Sequence, residues 1–187
     1  CETVADFEIL QKAFDYAQEA HKDHLRKSGE PYFRHLYEVG KRIWGKYRDV
    51  ELTAAAFLHD TVEDCDDVAT GDIYNMFGDT IGFMVDAVSK CNFDFYKRDE
   101  KFKDKTARFL WAGQQDVRVC LLKLADREHN ISTVKHLKPN KQIRMSFETQ
   151  AVYEPLKKIL SYDNPVTLQE TSDKLTTFIA ENKLSDL

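Results

Sequence analysis

Apolar residues recur every three or four positions along almost the whole chain, and no stretch alternates apolar with polar residues at period two between hairpin turns. Such a pattern buries stripes and not pleated faces, so the expected fold is all-α, a bundle of about eight to ten helices. Phe7, Leu10, Phe14 and Ala17 share one face of a first helix expected over Phe7–His24. A loop holding Ser28, Gly29 and Pro31 separates it from a second, Tyr32–Tyr47. Asp49 is placed to cap a third, which carries Leu52, Ala56 and Phe57 down to Asp64. Thr70 and Asp79 are the next N-cap candidates, and Gly78 is placed to end the short helix between them. The charged run from Lys90 to Lys105 reads as a loop leading into a helix that stops near Gly113. Val117, Leu121, Leu124 and Ala125 mark a strongly periodic helix ending near Thr133. Two more, Asn140–Leu160 and Val166–Leu184, flank an Asp163-Asn164-Pro165 turn.

With 187 residues the chain is the size of one ordinary domain, and a second independent domain would be a tight fit. No apolar run approaches the roughly 20 residues that span a bilayer, and no basic stretch followed by an apolar one opens the chain. The expectation is a cytoplasmic protein with no membrane partner. Cys1, Cys65, Cys91 and Cys120 are scattered with no C-x-x-C pair, which points to reduced structural thiols and neither a zinc knuckle nor a redox motif. The 27 Lys and Arg against 32 Asp and Glu leave a net charge of −5, which opposes nucleic-acid binding. A small anion remains a suitable ligand, because a local basic cluster reverses the potential in one cleft.

The sharpest local feature is HDTVED, His59 to Asp64, at the end of the otherwise apolar third helix. On a continuous helix His59 and Glu63, and Asp60 and Asp64, are four apart and share adjoining faces. Acidic groups so close repel unless a cation or a shared proton offsets them. Taken alone, the segment also reads as a helix C-terminal turn with solvated carboxylates. A second polar constellation, Lys123, Asp126, Arg127 and Asn130 within LLKLADREHN, interrupts another apolar helix. Asp126 is expected to be at least partly buried and to need a partner, either a metal shared with His59 and Asp60 or an ion pair with Lys123 or Arg127. The third element is RKSGEPYFRH, Arg26 to His35, where a Gly-Pro turn precedes a single histidine. Two histidines and two aspartates make a mixed nitrogen and oxygen set suited to Mn²⁺ or another six-coordinate divalent ion.

In this order and at these separations, RKSGEPYFRH, AAAFLHDTVEDC and LLKLADREHNIST resemble the segments of the HD-type hydrolase domain of Rel/Spo proteins. FGDTIGFMVDAVSK and ETQAVYEPLKKIL are similar to its connecting regions, so the resemblance covers roughly residues 7–160, and the length is that of the small alarmone hydrolases. It implies an HD-domain helical bundle in which His35, His59, Asp60 and Asp126 hold Mn²⁺, and Glu63 and Asp64 activate the attacking water. It places Arg26, Lys27 and Ser28 around the purine, Tyr32 beside the nucleoside and Asn130 at the ribose. Lys123 and Arg127 are grouped with them as substrate-binding cations. Two positions depart from the family pattern: Glu128 stands where an apolar residue is usual, and Leu36 where proline is common.

The implied reaction is hydrolysis of the 3′-pyrophosphate of ppGpp or pppGpp to GDP or GTP and pyrophosphate, with no synthetase, since the chain ends at Leu187. Rival readings keep the chemistry and change the substrate to an adenosine alarmone or the 2′-phosphate of NADPH, or make the chain a generic HD nucleotidase or a silent nucleotide-binding module. The Lys97, Arg98, Lys101, Lys103 and Lys105 run reads either as a pyrophosphate contact or, interleaved with Asp99, Glu100 and Asp104, as a solvated face.

Overall fold

Thr3 opens the first helix: its hydroxyl accepts from Asp6 N–H while the Asp6 carboxylate accepts from Thr3 N–H. In this computed structural model, which describes residues 3–90 and 100–182 (only the backbone for residue 90 and for 100–107), that reciprocal cap starts α1 (Val4–Ala20) earlier than the apolar spacing alone indicates. The helix also ends before His24. The chain turns through His21–Asp23 and forms an isolated antiparallel bridge between Leu25 and Pro31. That narrow loop presents Arg26, Lys27 and Ser28 together.

The elements that follow are α2 (Phe33–Tyr47), α3 (Val50–Leu58), α4 (Thr61–Asp64), α5 (Thr70–Phe77), α6 (Asp79–Lys90) and α7 (Glu100–Gln115). Then come α8 (Arg118–Ser132), a 3₁₀ turn (Val134–His136), α9 (Pro139–Glu148), a π turn (Thr149–Tyr153), α10 (Glu154–Ile159) and α11 (Leu168–Glu181). α4 is a single turn, and α9, the π turn and α10 follow without a break, which leaves nine helices of more than one turn among the described residues. No strand occurs among those residues, and none of their helices is long and apolar enough to cross a membrane.

α3 is the central element. Every residue from Leu52 to Leu58 is buried, and the helix packs against α1, α2, α6 and α8. A helix that is apolar all round belongs inside a core, and its run of three alanines lets the neighbours approach closely. Asp49 caps it as expected, accepting from Leu52 N–H at 2.8 Å.

Several boundaries differ from the sequence expectation, each for a local reason. Ala69 and not Thr70 occupies the N-cap of α5, where the Asp72 carboxylate accepts from Ala69 N–H at 2.9 Å. Gly78 ends α5 with φ of 85°, a conformation glycine adopts without strain. Residues 100–105, expected as loop, are the first turns of α7, while Lys97, Arg98 and Asp99 lie outside the described residues. α7 runs through Gly113 to Gln115. There the missing side chain admits α8 and α11, since a Cβ would stand 2.6 Å from Cys120 Sγ and 3.1 Å from Leu175 Cδ2. The helix expected over Asn140–Leu160 contains the π turn just before Pro155, a residue with no N–H to return to the carbonyl of Ala151. Glu128, the acidic departure on α8, is met by the Tyr162 hydroxyl at 3.4 Å and by Arg42 at 3.8 Å. Leu36 is fully buried within an unbroken α2.

Candidate metal centre

HDTVED does not continue α3. The helix ends at Leu58, His59 and Asp60 form a turn, and Thr61–Asp64 is a separate helical turn. Side chains take over the last carbonyls: His59 Nδ1 bonds Ala56 O at 2.8 Å and the Thr61 hydroxyl donates to Leu58 O at 2.6 Å. The i, i+4 stacking expected of a continuous helix is therefore replaced by a bend. His59 stays at the buried end of α3, Asp60 turns toward α2 and α8, and Glu63 and Asp64 are exposed at the rim.

Three elements converge at this bend. His35 comes from the first turn of α2, His59 and Asp60 from the α3–α4 turn, and Asp126 from the middle of α8. His35 Nε2 lies 3.4 Å from Asp60 Oδ2 and 3.2 Å from Asp126 Oδ1. His59 Nε2 lies 3.3 Å from Asp60 Oδ1 and 3.6 Å from Asp126 Oδ1. Donors that share one cation at about 2.0–2.2 Å are separated by roughly 3.0–3.6 Å, so the four side chains stand at ligand-to-ligand spacing.

The hydrogen bonds behind the ligands point the same way. His59 Nδ1 is engaged by Ala56 O, which leaves Nε2 facing the carboxylates, and that atom is fully buried with no hydrogen-bond partner. His35 Nδ1 lies 2.7 Å from His129 Nδ1, which likewise turns its Nε2 inward. Outer partners of this kind set the tautomer of metal-binding imidazoles. Burial, followed by the neighbouring His35, pushes the His129 imidazole down to about 3, so His129 is neutral and suited to accept the His35 proton. His129 was not among the residues the sequence singled out. Its signal was the single histidine on α8, three residues after Asp126.

Electrostatically the cluster calls for positive charge. Burial would lower the His59 imidazole, but Asp60 and Asp126 together override it and push it up to about 9. Against burial, which would raise it, His59 and His35 hold the Asp60 carboxyl far below the usual carboxylate range. Asp126 behaves likewise, against burial, beside His35, His59 and Lys123. A divalent cation fits this donor set: it would satisfy the orphaned Nε2 and both carboxylates at once.

Next to the cluster opens a cleft of ≈ 290 Å³, lined by Arg26, Lys27, Ser28, Tyr32 and Asn130 and, across from them, by Thr133, His136, Leu137 and Met145. The last four come from the end of α8, the 3₁₀ turn and α9, which no sequence motif marked. The Tyr32 hydroxyl donates to Asp60 Oδ2 at 2.9 Å and also faces Asp64, and burial and these carboxylates raise its pKa. Arg26 lies over the Tyr32 ring at 5.6 Å and donates to Asn130 Oδ1 at 2.8 Å, while its Nη1 is buried without a partner. Asn130 in turn donates to Asp126 Oδ1 at 2.6 Å. One chain of contacts thus runs from the cleft to the carboxylates.

Of the remaining predicted cations, Lys123 Nζ is 3.9 Å from Asp126 Oδ2, deep beside the cluster. Arg127 is not brought to the cleft. It reaches Glu148 Oε2 at 3.3 Å and the Tyr153 hydroxyl at 3.1 Å, with its guanidinium 4.1 Å over the Tyr153 ring. Successive residues on a helix point about 100° apart, so Arg127 cannot face the way Asp126 does.

The chain is similar to several known proteins. It is 37% identical over 163 residues to the guanosine-3′,5′-bis(diphosphate) 3′-pyrophosphohydrolase of Vibrio cholerae, a match covering 87% of this chain and 23% of that protein. It is 36% identical over 156 residues to the GTP pyrophosphokinase of Myxococcus xanthus, covering 81% and 20%. The chain spans less than a quarter of the length of these relatives. A solved structure described as a metazoan ortholog of SpoT that hydrolyzes ppGpp and plays a role in starvation responses superposes with a TM-score of 0.59, over 94% of this chain and 96% of that one. At 21% identity this likeness shows the fold. The family profile of the HD domain matches residues 13–160, a span that contains all four clustered ligand candidates, and the chain belongs to the HD-domain family.

Proposed function

We propose that the chain is a Mn²⁺-dependent phosphohydrolase that removes the 3′-pyrophosphate of guanosine alarmones such as ppGpp, giving GDP or GTP and pyrophosphate. The observation that carries this reading is the buried convergence of His35, His59, Asp60 and Asp126, with His59 Nε2 aimed into the cluster and unpartnered. The naming of the Vibrio relative for the same reaction supports the substrate class.

A cation held by these four residues supplies Lewis acidity, offsetting phosphoryl charge and making water a stronger acid. The protein's own groups do the rest. Glu63 and Asp64, exposed at the rim one turn beyond the ligands, take the proton of the attacking water as its oxygen bonds to the phosphorus on the 3′-oxygen. The bond from that phosphorus to the 3′-oxygen breaks, and the proton is relayed to the leaving oxygen. Arg26 stacks on the purine and offers its buried Nη1 to an acceptor on the ligand. Lys27 and Ser28 line the same side of the cleft, Asn130 contacts the ribose, and Tyr32 sets the wall between nucleoside and ligands. Lys123, beside Asp126, offsets charge near the phosphates.

The test is a product assay of the Mn²⁺-loaded protein against ppGpp, ppApp and NADPH in parallel. The expected result is GDP and pyrophosphate from ppGpp at the highest kcat/KM. Preference for ppApp or phosphate release from NADPH would reassign the substrate, and no turnover of any would reject the enzyme reading.

A further inference from the structure

A second group of ligating side chains stands outside the centre just described. His21 and His24, from the end of α1 and the turn after it, and Cys65, which closes α4, bring one ligand atom each within 4.8 Å of the others. Cys65 Sγ lies 3.6 Å from His21 Nε2 and 4.0 Å from His24 Nδ1. Tetrahedral Zn²⁺, with sulfur at about 2.3 Å and nitrogen at about 2.0–2.1 Å, sets its S···N edges at about 3.6 Å. One edge already has that length, and the other needs a shift of a few tenths of an ångström at His24.

One surrounding contact is given up on binding, since the Cys65 thiol donates to Ala20 O at 3.3 Å and loses that bond when its proton leaves. His21 Nδ1 bonds Ala17 O at 3.0 Å, so its Nε2 presents a lone pair toward the sulfur. Cys65 and His21 are buried while His24 is partly open to solvent, which provides a way in and room for a water ligand. Burial and then Asp64, Asp60, Asp66 and Asp67 push the Cys65 thiol up, and the same acidic surroundings attract a cation.

We propose that His21, His24 and Cys65 form a second metal site, which takes a borderline-soft divalent ion such as Zn²⁺ with water in the fourth position. Its thiolate separates it from the imidazole and carboxylate quartet, which suits a harder ion. Binding forms the metal–sulfur bond and releases the thiol proton to solvent. The site ties the end of α1 to the residue that follows Glu63 and Asp64. Through His21, stacked on Tyr32 at 5.1 Å and 15°, it also adjoins the cleft. Occupancy therefore braces the turn that carries the proposed proton acceptors, and the site itself is independent of the alarmone reading.

Co²⁺ titration of the full reduced chain tests this directly, because only a sulfur-bound ion gives a thiolate-to-cobalt charge-transfer band. The expected result is a band that saturates at one equivalent, is displaced by Zn²⁺, persists in Asp126→Ala and is absent from Cys65→Ser. His24→Gln, at a partly exposed position, keeps the fold and weakens Co²⁺ by at least about tenfold. It provides the decisive comparison if Cys65→Ser does not fold. The proposal is overturned if the folded wild type gives no sulfur band, if the band survives undiminished in Cys65→Ser, or if His24→Gln binds Co²⁺ like the wild type.

Discussion

Two imidazole clusters are joined by Tyr32, whose ring stacks on His21 and whose hydroxyl donates to Asp60, and their donor sets suit different ions. The quartet of His35, His59, Asp60 and Asp126 is assembled from α2, the α3–α4 turn and α8 at the buried end of α3, with nitrogen and oxygen donors and outer partners on both imidazoles. The trio of His21, His24 and Cys65 sits at the edge of the same cleft with a sulfur donor and one ligand partly open to solvent. On the proposed readings, one fold separates a centre that would act on a phosphate from a site that would brace the chain. The distinction lies in donor type and depth, and each can be changed one residue at a time.

The largest effect is expected from removing a quartet ligand. Asp126→Ala or His59→Ala abolishes both Mn²⁺ binding and hydrolysis, because the remaining donors keep a buried pair without its partner. Elemental analysis of the folded variants checks this, and unchanged Mn²⁺ stoichiometry would remove the residue from the coordination set. Next comes Glu63→Gln, which keeps shape and removes the base. It binds Mn²⁺ as before while kcat falls by about 10² to 10⁴. Near-wild-type turnover with confirmed occupancy would move the proton acceptor elsewhere.

Arg26→Ala removes a stacking contact worth about 1–3 kcal/mol, so KM rises by about one to two orders of magnitude with Mn²⁺ content intact. Steady-state kinetics that leave both KM and kcat at wild-type values would make Arg26 a wall of the cleft only. The smallest effect on hydrolysis is expected at Arg127, whose partners lie away from the cleft. Arg127→Ala lowers the unfolding free energy by about 1–3 kcal/mol through its buried bonds to Glu148 and Tyr153 and leaves KM unchanged. Denaturant unfolding read beside kinetics decides between this and a substrate contact.

The helical architecture was legible because burial mostly follows the apolar spacing: Ala17, Leu36, Val39 and Ile43, and the whole of Leu52–Leu58 turn inward, while Phe7, on the same expected face as Ala17, is 59% exposed. His59, Asp60 and Asp126 were legible because they interrupt otherwise apolar segments, whereas His35 entered through the Gly-Pro turn before it and the family resemblance. The bend at His59–Asp60 was not, because it depends on His59 and Thr61 side chains taking backbone carbonyls, which leaves no mark on periodicity. Arg127 misled because adjacency in sequence is not adjacency on a helix, whereas Lys123 and Asn130, three before and four after Asp126, do share its face. The trio stayed hidden because Cys65 is 41 residues from His24 and no short motif joins them. The wall formed by Thr133, His136, Leu137 and Met145 depends on how α9 folds back past the end of α8, a tertiary fact with no local signature.

The most direct test of the metal centre is a crystal structure of the Mn²⁺-loaded protein with an anomalous difference map. A manganese peak is expected bounded by His35 Nε2, His59 Nε2 and the carboxylates of Asp60 and Asp126, with no manganese beside Cys65. An enzyme that turns over its substrate with no ion among those four side chains would contradict that expectation.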